Sequence, residues 1–396
     1  MSSPKTQLAW LSLAMFLGMT LWFSATAATA GIVAEFHLTA AATAWLTMAV
    51  QGGFVAGTLL SAALNLPDVV NPRRLFAIGC VAGAAANAAF IRAGGAGDPA
   101  PLIALRIATG IALAWVYPPG MKVAAGWFEK RRGAALGVLI GALTIGSAFP
   151  HLLAAASARV PWRTLMLSAS GLALAGGAIV LFAVGDGPYV STSAPFDRRA
   201  IVRVFAYRPA RLATLGYLGH MWELYAVWTW MAAFAAASLH AGHGDDVPLS
   251  SHGGSALAFL TIASGAAGSA AAGLFADRIG KARIATWAML VSGTCAALAG
   301  FVFAVSPAAL IALAVVWGVA VVADSAQLSA LVAEHSPRDH VGTALTMQTC
   351  AGFLLTMVSI RLVPVVARGI GWQWAFLCLV PGPLLGAWAL RGLRER

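Results

Sequence analysis

Three charged residues sit inside long apolar runs of this chain: Arg106, Glu223 and Asp324. A charge at mid-helix in hydrocarbon costs roughly 2.5–3.5 kcal/mol on insertion scales, so such groups usually face a partner, a water-filled cavity or a solute path. Arg106 suits the anchoring of an anionic group or the release of a proton from a neighbour; the alternative is an ion pair locking its helix to another. Glu223 lies in the cluster Gly219-His220-Met221-Trp222-Glu223-Leu224-Tyr225, and its spacing from His220 puts the two on one helix face. A buried carboxylate beside an imidazole can carry a proton, whereas a permanently paired glutamate would only hold its helix in place. Asp324, followed by Ser325 and Gln327, is expected nearer a membrane edge, where a polar vestibule and a coupling role both remain open. Arg361 and Lys122 lie close to helix ends, where they can snorkel to headgroups or line a path. Trp22, Tyr117 and Tyr225 are the aromatic candidates for substrate contact.

The elements that must carry these residues follow from composition. Of 396 residues, 60% are hydrophobic and 10% charged, with a mean hydropathy of +0.82. That much apolar surface requires lipid as solvent, and helices as the spanning element. Splitting the chain at its charges, prolines and polar clusters gives apolar runs at 8–33, 41–64, 75–93, 101–124, 134–158 and 163–184, then 212–238, 254–275, 284–305, 308–330, 342–364 and 373–391. The first contains a small-residue stretch like a cleavage site, Ser24 to Ala30, but its length and the single Lys5 before it favour a span. Residues 185–211 form the longest polar interruption and read as a linker between domains 1–184 and 212–396.

The net charge of +11 is spread along the chain, so nucleic acid is not indicated. With the N-terminus inside, 18 of the 25 basic residues fall in inner loops and tails and four (Arg92, Arg159, Arg163, Arg368) in outer loops, which makes both ends cytoplasmic. Cys80, Cys295, Cys350 and Cys378 fall in apolar runs without metal-like spacing and read as small buried hydrophobes. His240, His243, Asp245, Asp246 and His252 have metal-ligand types, yet the glycines and proline among them suggest a solvated loop. No phosphate-binding loop or catalytic triad occurs, so an enzyme or ATP-driven pump is not expected, and no cofactor is implied.

The chain is also doubled. Pro67-Asp68-Val69-Val70-Asn71-Pro72-Arg73-Arg74 in the first half answers Ala276-Asp277-Arg278-Ile279-Gly280-Lys281-Ala282-Arg283 in the second. Leu102 to Leu105 answers Leu310 to Leu313, Gly110 answers Gly318, and Gly133 to Leu136 answers Gly342 to Leu345, all at offsets between 208 and 210. The halves are therefore parallel six-helix repeats. Small residues recur every four positions at Gly265, Ser269 and Gly273, at Gly79 and Gly83, and at Gly137 and Gly141, a spacing that lets helices approach closely. Pro118-Pro119-Gly120 must interrupt the fourth span.

On these motifs the chain resembles the major facilitator superfamily. Gly273 to Arg283 is similar to that family's loop motif between helices 8 and 9, Arg106 and Gly110 to its helix 4 motif, and Trp127 to Gly133 to a loop 4–5 pattern of its organic-anion porters. The first-half loop departs by lacking the glycine and by an extra residue between Asp68 and Arg73, and Ser147 replaces the proline of the drug-antiporter motif. The resemblance implies an all-α integral membrane protein of twelve transmembrane helices, with helices 1, 4, 7 and 10 lining a central cavity. It implies a cytoplasmic gate of Asp68, Arg73, Arg74, Asp277, Arg278, Gly280, Lys281 and Arg283.

The expected function is a monomeric secondary transporter in the cytoplasmic membrane, moving a small solute by alternating access. Three basic against two acidic buried groups favour an organic anion taken up with protons. The alternatives are proton-driven efflux of amphipathic compounds and a transport-inactive sensor or scaffold.

Overall fold

Backbone groups in hydrocarbon must find partners within their own segment, so so apolar a chain becomes helices. The computed structural model describes residues 3–94, 98–129, 132–156, 160–189, 205–243, 249–337 and 340–393, and no strand occurs among them. The chain divides into two compact units, Met1–Pro195 and Phe196–Arg396. Large apolar side chains face outward, Phe182 at 88% and Trp388 at 68% exposure, while Arg106 is fully buried. This inversion of a soluble protein's pattern is what a lipid exterior produces.

The first unit begins with α1 (Pro4–Met19), a turn, α2 (Ser24–Ala27) and α3 (Thr29–Phe36). It continues through α4 (Ala40–Ala63), α5 (Leu66–Val69), α6 (Pro72–Ala89), α7 (Ala100–Leu113), α8 (Tyr117–Trp127), α9 (Arg132–Ala156) and α10 (Trp162–Phe182). The second unit holds α11 (Arg208–His243), α12 (Leu249–Ile279), α13 (Lys281–Val302), α14 (Pro307–Ala323), α15 (Ser325–His335), α16 (Val341–Ile370), a 3₁₀ stretch Trp372–Leu379 and α17 (Pro381–Leu390).

Ten segments of the described residues are long and apolar enough to cross a membrane. The other two expected spans differ for visible reasons: the first is broken at residues 20–23, and the seventh lies within α11, which includes Arg208 and Arg211. The fourth span breaks at residues 114–116, just before Pro118 and Pro119, which fall in the first turn of α8 where a missing N–H is harmless. The tenth span breaks at Asp324 without any proline or glycine nearby. His240 and His243 end α11 and His252 lies in α12, so the expected loop there is shorter; Asp245 and Asp246 lie outside the described residues. So do Lys130 and Arg131 of the loop 4–5 pattern, Arg159, Arg338, Arg394 and Arg396, and residues 190–204 of the expected linker.

Helix pairs within each unit approach at small residues. A Cβ on Gly110 would lie 2.2 Å from the Val50 carbonyl oxygen, and one on Gly318 would lie 1.8 Å from that of Thr261. The pair Gly110 and Gly318, matched by the repeat, thus marks the same contact twice: α7 on α4, and α14 on α12. Gly318→Val should force α14 from α12 and destabilise the protein by about 1–3 kcal/mol or more. Gly133→Ala, where a Cβ meets nothing within 4 Å, should leave the thermal midpoint in detergent unchanged.

Candidate functional site

Arg106 reaches from α7 into the break after α1. Its Nη2 donates to the Trp22 carbonyl at 2.6 Å, Nη1 to the Leu21 carbonyl, the Ser24 hydroxyl and Asn87 Oδ1 at 3.2–3.3 Å, and Nε to the Leu46 carbonyl at 3.3 Å. Ser24 Oγ donates to Asn87 Oδ1, and Asn87 Nδ2 donates to the Met166 carbonyl and Ser170 Oγ, so the network spans α2, α4, α6, α7 and α10. Every guanidinium nitrogen has a partner, and every partner is a neutral oxygen. Such a group secures helix 1 in its broken form; this is neither the expected free anchor nor the expected ion pair. Trp22 packs on Phe54 with ring centroids 5.1 Å apart, and Tyr117 stacks on the other side of Phe54 at 6.4 Å.

In the second unit the buried charges separate into two sites. Glu223 accepts hydrogen bonds from Ser292 Oγ at 2.8 Å and Trp317 Nε1 at 2.7 Å. His220, one turn away on the same face, turns instead to the break between α14 and α15. Its Nδ1 lies 2.8 Å from Asp324 Oδ1, and its Nε2 lies 3.0 Å from Ser325 Oγ. The Nδ1 contact is at ion-pair distance without the alignment of a linear hydrogen bond. Asp324 is 1% exposed, so it occupies a buried break and not the polar vestibule expected from its position. Tyr225 packs against Trp228 and Phe353, at 5.4 and 5.1 Å.

Arg361 lies well inside α16, too far from its end to snorkel; Nη1 is buried and has no hydrogen-bond partner among the described residues. Sequence reasoning missed Asn87, Ser292 and Trp317. Asn87 was open to discovery as an amide within an apolar span, but a serine or tryptophan there carries no distinguishing signal.

The motif loops form contacts inside each unit. Asp68 on α5 pairs with Lys122 on α8, so Lys122 is held by a carboxylate instead of snorkelling. Arg73 forms a two-pronged pair with Asp186, at 2.8 Å from Nε and from Nη2, and donates to the Val184 carbonyl. In the second unit Lys281 pairs with Glu334 on α15. Asp277, Arg278 and Arg283 are exposed, as is Arg74 in the first unit. A cavity of about 1270 Å³ opens beside this loop, lined by Arg208, Asp277, Gly280, Lys281, Glu334 and His335 among others; Glu223 and His220 are not in its wall. Gly280 has φ +100°, where a side chain would be strained, which accounts for the glycine of the motif. The first-half loop does without it by inserting α5 and capping α6 with Asn71, whose side chain accepts from the Arg73 N–H.

An apolar helical body in two units, with polar groups gathered at breaks in its helices, is the build of a membrane carrier. A family model described as Major Facilitator Superfamily matches residues 11–253 and again 213–396. The chain belongs to that family: it is a multi-pass membrane transporter of a small solute and not an enzyme. A comparison with curated proteins gives no match.

Removing the Arg106 guanidinium strands several carbonyls, each worth about 1–3 kcal/mol when left unpaired. Arg106→Ala should therefore lower the thermal midpoint as well as transport, and Arg106→Lys, with donors on one nitrogen, should restore little of it. The sequence alone had suggested a loss of transport with the folded protein intact.

A second expectation concerns Asp186. The hydrogen bond from Arg73 chiefly, helped by Asn71 and opposed by desolvation, holds this carboxyl below its ordinary value of 3.8. A depressed folded-state value stabilises the protein above the unfolded value, and that stabilisation disappears as pH falls through the folded one. Asp186→Asn should lower the thermal midpoint at neutral pH, with the difference from wild type shrinking below about pH 4.

Proposed function

We propose that the chain carries a small organic anion together with protons across the cytoplasmic membrane, as a twelve-helix monomer with both termini inside. The count of twelve joins α1 to α3, α7 to α8, α14 to α15, and the 3₁₀ stretch to α17 as interrupted spans, and adds α11. The observation that carries the anionic reading is Arg361. A buried guanidinium nitrogen without an acceptor is a ready partner for a carboxylate or similar oxyanion, and a charge-assisted bond there is about twice as strong as a neutral one.

Arg106 contributes by shaping helix 1. Glu223 and the His220–Asp324 pair support proton coupling, since both are buried groups able to gain or lose a proton. The basic residues of the expected inner loops support the orientation. Asp277, Arg278, Arg283 and Arg74, exposed in their own units, act as gate contacts during alternating access, with one repeat moving against the other.

The test is uptake of radiolabelled carboxylates into proteoliposomes, chosen by a thermal-shift screen of organic acids, cations and amphipathic drugs. Arg361→Gln should weaken the apparent affinity about ten- to hundredfold, the loss of one charged hydrogen bond. Unchanged affinity removes Arg361 from the site, and uptake indifferent to a pH gradient removes the coupling.

A further inference from the structure

His220 is the one side chain whose two ring nitrogens meet residues on both sides of the helix break at Asp324. Asp324 closes α14 and also starts α15, where its carbonyl accepts from the Leu328 N–H at 2.9 Å. Ser325 is the first residue of α15. His220 itself stands on α11, which runs without interruption from Arg208 to His243. A rigid helix thus grips a broken one at its break, through an imidazole. With neither a proline nor a glycine at the break, the sequence of α14 and α15 offers no other cause for it.

The sign of that grip follows from the contact itself. Nδ1 and a carboxylate oxygen 2.8 Å apart repel unless a proton lies between them. With the imidazole protonated, Nδ1–H faces the carboxylate and Nε2–H donates to Ser325, giving a neutral pair in a buried site. When the imidazole loses a proton to solvent, the site carries an uncompensated negative charge. The imidazole must then choose one tautomer, and it donates to Asp324 or to Ser325 but not to both.

The groups around the pair do not replace that proton. On α11, the Tyr217 ring lies 6.0 Å from His220, and Glu223 adds a second negative charge whose field reaches Asp324. α13 presents Cys295 beside Glu223. α16 carries Cys350, Arg361 and Arg368, and α14 and α17 carry no ionisable side chain. The remaining ionisable residues of the packed helices (His252, Asp277, Arg278, Lys281, Arg283, Glu334 and His335) lie toward helix ends.

We propose that His220 is a proton-operated clamp on the break of the tenth span: protonated, it fixes α14 and α15 against α11 through Asp324 and Ser325, and deprotonated, it frees α15 to pivot at Asp324. Its role in transport rests on the proton-coupled reading above; the clamp itself does not need it. His220 is a positioning residue here, and Glu223, held by neutral donors on other helices, lies outside the clamp.

The test is hydrogen–deuterium exchange of the full-length protein in nanodiscs, following the backbone amides of residues 324–335 after correction for intrinsic exchange. Exchange in the wild type should rise about tenfold between about pH 6 and 8.5, across the range in which an imidazole gives up its proton. It should lose that pH response in His220→Gln and in Asp324→Asn, and keep it in Glu223→Gln. Exchange of the His220 C2 hydrogen in the wild type, which titrates the ring without any substitution, should change over the same pH interval. A flat wild-type response, a His220→Gln variant that retains it, or a ring that titrates over a different interval overturns the clamp. Uptake insensitive to a pH gradient with the exchange response intact would instead overturn proton coupling and leave the clamp standing.

Discussion

A carbonyl released by a break in a membrane helix must find a donor, because hydrocarbon supplies none. The first unit is organised by that requirement. Residues 20–23 leave the helix, and the guanidinium of Arg106 binds the freed Leu21 and Trp22 carbonyls. Because the same guanidinium also reaches Leu46, Ser24 and Asn87, and Asn87 goes on to Met166 and Ser170, one cation fixes most of the unit's helices relative to the broken segment. The aromatic stack of Trp22, Phe54 and Tyr117 is oriented by this arrangement, since the residue that bears the Trp22 ring is held by its own backbone.

The second unit repeats the architecture with different chemistry. Its first helix, α11, is unbroken, and a carboxylate on it receives an indole N–H from α14, where the first unit sends a guanidinium from α7 toward α2. The break has moved to the partner helix at Asp324. One half therefore holds a charge that keeps its proton under all physiological conditions, and the other holds groups whose charge can change. A carrier in which only one half responds to protons can be driven through that half while the other serves as a fixed frame.

Much of this was legible in the sequence, and the remainder was hidden for identifiable reasons. Hydropathy gave the helical class, and the repeat gave matching glycines, because Gly110 and Gly318 are needed wherever two helix backbones touch. Pro118 and Pro119 announced the break before α8. The breaks at 20–23 and at Asp324 carry no such mark, since side chains from distant spans create them: Arg106 in one, His220 in the other. Isolated buried charges pointed to Arg106, Glu223 and Asp324 correctly as residues of consequence, but a sequence does not say whether a buried arginine faces a solute or its own backbone. The partners of Glu223 were invisible for the same reason, as serine and tryptophan are ordinary residents of membrane helices.

The two loop-to-helix ion pairs differ in polarity. In the first unit the acid, Asp68, is on the loop and the base, Lys122, on α8; in the second the base, Lys281, is on the loop and the acid, Glu334, on α15. Two related halves in one chain run the hazard of exchanging equivalent segments while they fold. If α8 and α15 traded places, Asp68 would face Glu334 and Lys281 would face Lys122. Each half would then meet a like charge at the point where its loop must be fastened. Inverted polarity thus labels each segment with its own half, so that a duplicated chain assembles each copy from its own parts.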